Sequence, residues 1–226
     1  MDDMIDLEAE KLERIIDKIR RDPEDLKIKE VELNLWLNIR RKLILGRRTG
    51  LNPLLGLADA LAALGYKYDS DEAISVAEMM AAAGATSAYM SSIHMAMERG
   101  SFAVWDIKTE KDNPFLNRIL DCLDGNTVAI YKSFGRRNIA CLTIPPSGTI
   151  SIISQVSSGI EPVFNLSYTR KRKVSAEHPN KSFQDKNGDW WEEYEVYHPK
   201  LLKWMKIVEE GKHDGVHNPY RGSTTN

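Results

Sequence analysis

Cysteine is nearly missing from this sequence: only Cys122 and Cys141 occur among 226 residues. They form neither a Cys-x-x-Cys pair nor a metal-ligand spacing, which leaves no basis for a disulfide scaffold or a zinc site. Each reads either as a small buried apolar residue or as half of a redox pair. Long apolar runs are also missing, since none approaches the roughly 20 residues a membrane helix needs. The acidic start Met1-Asp2-Asp3 is the reverse of the basic opening of a signal peptide, so a cytoplasmic protein without a membrane partner is expected. Net charge is small as well: 31 Lys and Arg against 33 Asp and Glu give −2, which argues against nucleic acid as the main partner. Neither Gly-x-x-x-x-Gly-Lys-Ser/Thr nor Gly-x-Gly-x-x-Gly occurs, so the common nucleotide-binding loops are excluded. The histidines His94, His178, His198, His213 and His217 show no nucleophile-base-acid spacing.

What is present is a composition that folds. With 42% hydrophobic and 28% charged residues, the chain can bury one sizeable core or serve as a large piece of a bigger domain. Helical periodicity predicts a first helix over Asp6 to Arg21, and Asp22-Pro23 breaks it and starts a second that runs to about Leu45. A small-residue helix follows between Leu51 and Gly65. The cap signal Asp69-Ser70-Asp71-Glu72 opens another, Ala73 to about Arg99, whose methionines read as core filler. A loop from Ser101 to Asp112, a helix from Pro114 to Leu123, a turn at Gly125-Asn126 and an apolar patch at Val128 to Tyr131 come next.

Strands are expected at Asn138 to Ile144 and at Val163 to Tyr168. The basic run Arg170-Lys171-Arg172-Lys173 reads as the guard of an edge strand, with a nucleic-acid contact as the other reading. Asp185 to Asp189 is a turn between Val174 and the alternating Trp190 to Tyr197, which suggests a two-stranded excursion. The Trp190-Trp191 pair then divides between two strand faces, base stacking being the alternative. A helix from Pro199 to Glu210 and a loop tail over Asn218 to Asn226 complete the chain.

The stretch that carries chemistry is Cys141-Leu142-Thr143-Ile144-Pro145-Pro146-Ser147-Gly148-Thr149-Ile150-Ser151. It reads as a strand, a two-proline stop, a hydroxyl-rich loop and a helix start. Such a helix start points unpaired N–H groups and the positive end of the helix dipole at whatever sits there. Ser147, Thr149 and Ser151 add hydroxyls, and Gly148 lets backbone approach a phosphate. Loops of this composition also occur where nothing binds. Glu161-Pro162, after Gly159, either brings a carboxylate to the site or marks a turn.

Together with Ser157-Ser158-Gly159-Ile160-Glu161-Pro162-Val163-Phe164, this stretch resembles the large-subunit signature of ribonucleotide reductases, in particular the adenosylcobalamin-dependent class. Gly46-Arg47-Arg48-Thr49-Gly50-Leu51, Gly56-Leu57-Ala58-Asp59-Ala60-Leu61, Tyr68-Asp69-Ser70, Asn113-Pro114-Phe115-Leu116, Gly188 to Tyr194 and His198-Pro199-Lys200 fit the same class. The resemblance implies a mostly helical fragment of a ten-stranded α/β barrel that reduces the ribose 2′-hydroxyl of ribonucleoside di- or triphosphates. Residues 1–226 would all belong to that barrel domain: a helical part over 1–135, strand and substrate-phosphate loop over 136–176, excursion and final helix over 174–211, and tail over 212–226.

By the same resemblance, Ser147, Gly148, Thr149, Ile150 and Ser151 hold the substrate phosphates. Adenosylcobalamin is the implied cofactor, its cobalt–carbon bond the source of the radical. A thioredoxin-type protein is the implied reductant. The sequence departs from the family where the chemistry is done, because the Asn-x-Cys-x-Glu motif of the radical finger loop occurs nowhere in it. The reducing cysteine pair is also missing, so no catalytic residue is assigned to this chain. The expectation is an internal piece of a reductase, inactive alone and completed by other reductase polypeptides. A free-standing phosphate-binding module and a purely structural interaction protein are the competing readings.

Overall fold

The computed structural model describes residues 1–209. In chain order the described residues form α1 (Asp2–Arg21), α2 (Leu26–Gly46), α3 (Leu57–Ala63), α4 (Asp71–Arg99), α5 (Ile107–Glu110), α6 (Pro114–Asp121), α7 (Gly125–Phe134), α8 (Gly148–Ser154), β1 (Ser167–Val174), β2 (Phe183–Gln184), β3 (Trp190–Tyr197) and α9 (Pro199–Glu209). Short polar side chains set many of the boundaries. Asp25 accepts from the Lys27 amide at the start of α2, and Asn113 accepts from the amides of Phe115 and Leu116 at α6, where Pro114 takes the first helical position. At the other end of α2, Arg47 adopts the left-handed conformation (φ 43°) and its amide bonds the Leu43 carbonyl.

The described residues divide into two compact units, one of Met1–Leu54 with Ala77–Pro145, the other of Leu55–Val76 with the chain from Pro146 onward. In the first unit α1 turns its Ile5, Leu12, Ile16 and Ile19 inward at helical spacing. An ion pair between Glu13 and Arg40 joins α1 to α2. The core is built from Ala85, Tyr89 and Ile93 of α4, Leu116 and Ile119 of α6, Tyr131 of α7, and Cys141. Beside it lies a buried ion pair between Arg136 and Glu110. Glu110 also accepts from Trp105 Nε1 at 2.9 Å and the Tyr131 hydroxyl at 3.0 Å, while Arg136 Nη1 donates to the carbonyls of Asn138 and Ile139. Burial, reinforced by the Glu110 carboxylate, pushes the Tyr131 phenol far above its ordinary range.

Several sequence expectations are revised. The strand expected over Asn138 to Ile144 is a single parallel bridge, Leu51 to Leu142, extended by bonds from the Thr49 amide to the Ala140 carbonyl and from the Leu51 amide to the Cys141 carbonyl, each 2.9 Å. The turn expected at Gly125-Asn126 is the first turn of α7. Asp124 caps it by accepting from the Thr127 amide (3.0 Å) and hydroxyl (2.6 Å), which overrides the weak helix propensity of Gly and Asn. Of the methionines of α4 expected in the core, Met79, Met90 and Met97 are exposed. Cys122, expected buried, is exposed, whereas Cys141 is buried and its thiol is pushed up by that burial.

In the second unit β1 pairs antiparallel with β3 from Ser167–Tyr197 to Val174–Trp190, and β2 pairs with the other edge of β3, giving the order β1-β3-β2. The two-stranded excursion expected from the sequence is thus a three-stranded sheet, and the turn at Asp185 to Asp189 joins β2 to β3. The strand expected over Val163 to Tyr168 begins only at Ser167. The last residue expected in the final helix, Glu210, and the expected loop tail lie outside the described residues.

Candidate functional site

Ser147 occupies the position before α8, and its side chain makes no capping hydrogen bond to that helix. Its carbonyl accepts from the Ser151 amide at 2.8 Å. The Ser151 hydroxyl donates to the Gly148 carbonyl, also at 2.8 Å, so this side chain braces the loop from inside. Ser147 and Ser151 are buried, whereas Gly148, Thr149 and Ile150 are exposed. A Cβ added at Gly148 would meet nothing within 4 Å. The fold's own packing therefore does not require glycine there. The arrangement offers first-turn amides, an exposed Thr149 hydroxyl and open space over Gly148, which is what an anionic group approaching backbone requires.

Pro146, immediately before this loop, lines an open groove of about 650 Å³ together with Ser158, Glu161, Pro162, Val163, Phe164, Asn165 and Tyr168. Glu161 is exposed on its wall, and that volume suits a nucleotide-sized ligand. The groove and the hydroxyl loop belong to the same unit.

Other residues singled out in the sequence fall elsewhere. In the basic run, Lys171 pairs with Glu193, Arg172 with Glu192 and Lys173 with Asp189, each at 2.6 Å. Neutralisation of this kind makes the run a charge ladder between β1 and β3, its last rung reaching Asp189 in the turn before β3. Trp190 carries the Lys181 ammonium over its ring, and the Trp191 indole donates to Asp185, so both are engaged within the sheet region. His94 sits partly buried in α4 and His178 is in a turn; His213 and His217 lie outside the described residues. No group of three or more His, Cys, Asp or Glu that could hold a metal forms among the described residues.

One convergence escaped sequence reasoning. Asp59 of α3 accepts from the Ser157 amide at 3.2 Å, and the same carboxylate oxygen lies 3.4 Å from His198 Nε2. All three residues are buried or nearly so. Both Asp59 and His198 stand in motifs noted above, but nothing in a separation of more than a hundred residues announces that they meet.

Comparison with known proteins fixes the class. The family model described as "Ribonucleotide reductase, barrel domain" matches residues 38–197. The chain belongs to the ribonucleotide reductase barrel-domain family, and its described part is a mostly helical portion of that α/β barrel. Two relatives narrow the likeness. A vitamin B12-dependent ribonucleoside-diphosphate reductase of Mycobacterium tuberculosis is 34% identical over 125 residues, covering 55% of this chain and 15% of the relative. One of the same description from Thermoplasma acidophilum is 30% identical over 173 residues, covering 75% of this chain and 19% of the relative. The chain therefore spans about a fifth or less of the curated relatives it matches. No helix among the described residues is long and apolar enough to cross a membrane.

Proposed function

We propose that this chain supplies the substrate-phosphate loop of a vitamin B12-dependent ribonucleoside-diphosphate reductase, with Ser147, Gly148, Thr149, Ile150 and Ser151 cradling the diphosphate. The observation that carries the reading is Gly148, a glycine at the start of α8 whose missing side chain the fold has room for. The relatives' names give the ribonucleoside diphosphate as substrate class. Fixing the phosphates would set the ribose against the radical site, which is catalysis by positioning.

Residues 1–226 are one part of the barrel domain in this reading. Another polypeptide brings the Asn-x-Cys-x-Glu loop, a thioredoxin-type protein serves as reductant, and the assembly works in the cytoplasm. Alone, the chain is inactive. In the complete enzyme adenosylcobalamin would supply the radical, and no described residue is assigned to hold it.

Calorimetric titration of the chain with a nucleoside diphosphate, the matching nucleoside and pyrophosphate tests the loop. The diphosphate and pyrophosphate should bind and the nucleoside should not. Gly148→Ala should leave the thermal midpoint unchanged and weaken diphosphate binding about tenfold, or roughly 1.4 kcal/mol. Equal affinity for nucleoside and diphosphate, or unaltered binding by the variant, would overturn the assignment.

A further inference from the structure

The segment that follows α8 is tied to α3 at several points. Gln155 closes α8 in the left-handed conformation (φ 54°), and the Val156 amide donates to the Ser151 carbonyl at 3.1 Å. The next amide, Ser157, donates to Asp59. Two residues on, the Gly159 carbonyl accepts from the Gly56 amide at 3.1 Å, and the Ile160 carbonyl accepts from the Tyr68 hydroxyl at 2.7 Å. Gly56, at φ 74°, lies so close to Val156 that an added Cβ would come within 2.9 Å of that side chain. Glycine is required there on both counts.

His198 completes the arrangement from the junction of β3 and α9. Its amide donates to the Leu166 carbonyl at 2.8 Å, and its Nδ1 accepts from the Lys200 amide at 3.3 Å. With Nδ1 taken up by that amide, Nε2 is the ring atom facing Asp59, 3.4 Å from its carboxylate, and it makes no hydrogen bond among the described residues. Asp59 and His198 are 9% and 7% exposed at the side chain. Ser157 is buried too, and its hydroxyl has no hydrogen-bond partner among the described residues. A joint needed only for stability would be served as well by apolar side chains of similar volume.

These contacts form one continuous path. It runs from Asp59 to the Ser157 amide, through Val156 to the Ser151 carbonyl, and from the Ser151 amide and hydroxyl to Ser147 and Gly148, with His198 Nε2 lying 3.4 Å from the same carboxylate. We infer that Asp59 and His198 are positioning residues for the hydroxyl loop: the carboxylate pins the far end of α8 through the Ser157 amide, and the buried imidazole, 3.4 Å away, confines the carboxylate by close packing. The inference rests on the proposed function for its effect on binding, though not for its effect on order. None of the hydrogen bonds His198 makes among the described residues reaches the loop, so it acts through Asp59, while α8, only seven residues long, has little stability of its own.

Hydrogen exchange on the full chain, followed by diphosphate titration, tests this. Asp59→Ala and His198→Ala should each raise exchange at least tenfold over residues 148–160 while leaving α4 unchanged, and should weaken diphosphate binding about tenfold. His198→Gln, which keeps side-chain bulk beside Asp59, should restore most of both. Unchanged exchange over 148–160, an increase spread evenly over the chain, a glutamine variant no better than the alanine one, or selective exchange with unaltered diphosphate affinity would each overturn the inference. The exchange measurement needs no ligand. Should the unmodified chain bind no diphosphate, the proposed function fails, and the exchange pattern still decides whether Asp59 and His198 order the loop.

Discussion

Asp2 is a charged residue that is almost fully buried, at 4% exposure. Burial alone would raise its carboxyl, but hydrogen bonds from Arg47, Arg137 and Asn138 outweigh that and hold it below its ordinary range. Arg47 grips it with Nε at 3.0 Å and Nη2 at 2.8 Å, Arg137 Nε lies at 3.1 Å, and Asn138 Nδ2 donates at 2.9 Å. Asn138 in turn donates to the Arg47 carbonyl and accepts from Ser92, so the carboxylate sits at the centre of a shared network. Because the folded value is the depressed one, the stabilisation is complete above the unfolded value near pH 4 and disappears as pH falls through the lower folded value. Asp2→Asn should cost about 3 kcal/mol at pH 7, since it takes the shared carboxylate from Arg47 and Arg137, of which only Arg47 keeps a second carboxylate, Asp6. In urea titrations the difference from the unmodified chain should shrink steadily below about pH 4. A difference that stays constant down to pH 2.5 would show that the charge plays no part.

At the scale of elements, Gly84 decides how closely α4 can approach the turn before α3. A Cβ at Gly84 would overlap the Pro53 ring. Alanine gains about 1 kcal/mol of helix propensity over glycine, but overpacking against a rigid ring costs about 1–3 kcal/mol. Gly84→Ala should therefore lower the thermal midpoint, against the usual trend for exposed helices; a higher midpoint would mean the turn yields freely. Such a contact is invisible in sequence, where Gly84 is one small residue in a helix.

The legible elements were those with local causes. An acidic start, a basic end and apolar periodicity make α1 readable, the cap signal Asp69-Ser70-Asp71-Glu72 and the stop at Gly100 mark α4, and Asn113-Pro114 marks the start of α6. The unreadable features depend on partners far along the chain. Whether Asn138 to Ile144 forms a strand depends on how much of Gly46 to Leu51 runs beside it, and one bridge is the outcome. In α7 a local cap was present, Asp124 with Thr127, yet Gly125-Asn126 masks it. The hydroxyl loop itself was legible because proline, serine and glycine act locally, whereas its support by Asp59 and His198 belongs to tertiary structure.

For the whole molecule, the main question is what covers its apolar surface. On α8, Ile150, Ile152 and Ile153 are 59%, 76% and 78% exposed, and in the same unit Phe164 is 99% exposed. On α2, Ile28, Val31 and Leu35 form a second exposed row. Single exposed apolar residues are ordinary, but consecutive isoleucines beside an open groove mark a surface meant to be covered. In the reading proposed above, the remainder of a reductase barrel would supply that cover, since this chain spans about a fifth or less of its relatives. Without that cover, the isolated chain should self-associate at micromolar concentration, with retention in size-exclusion chromatography that depends on loading. Changing Ile152, Ile153 and Phe164 together to lysine should move it toward a monomer while leaving the thermal midpoint within a few degrees, since these side chains are largely exposed. Reconstitution gives the opposite sign: a polypeptide carrying the missing finger loop should bind the unmodified chain and bind the triple variant at least tenfold more weakly. A clean monomer from the unmodified chain at every concentration would show that this surface needs no cover.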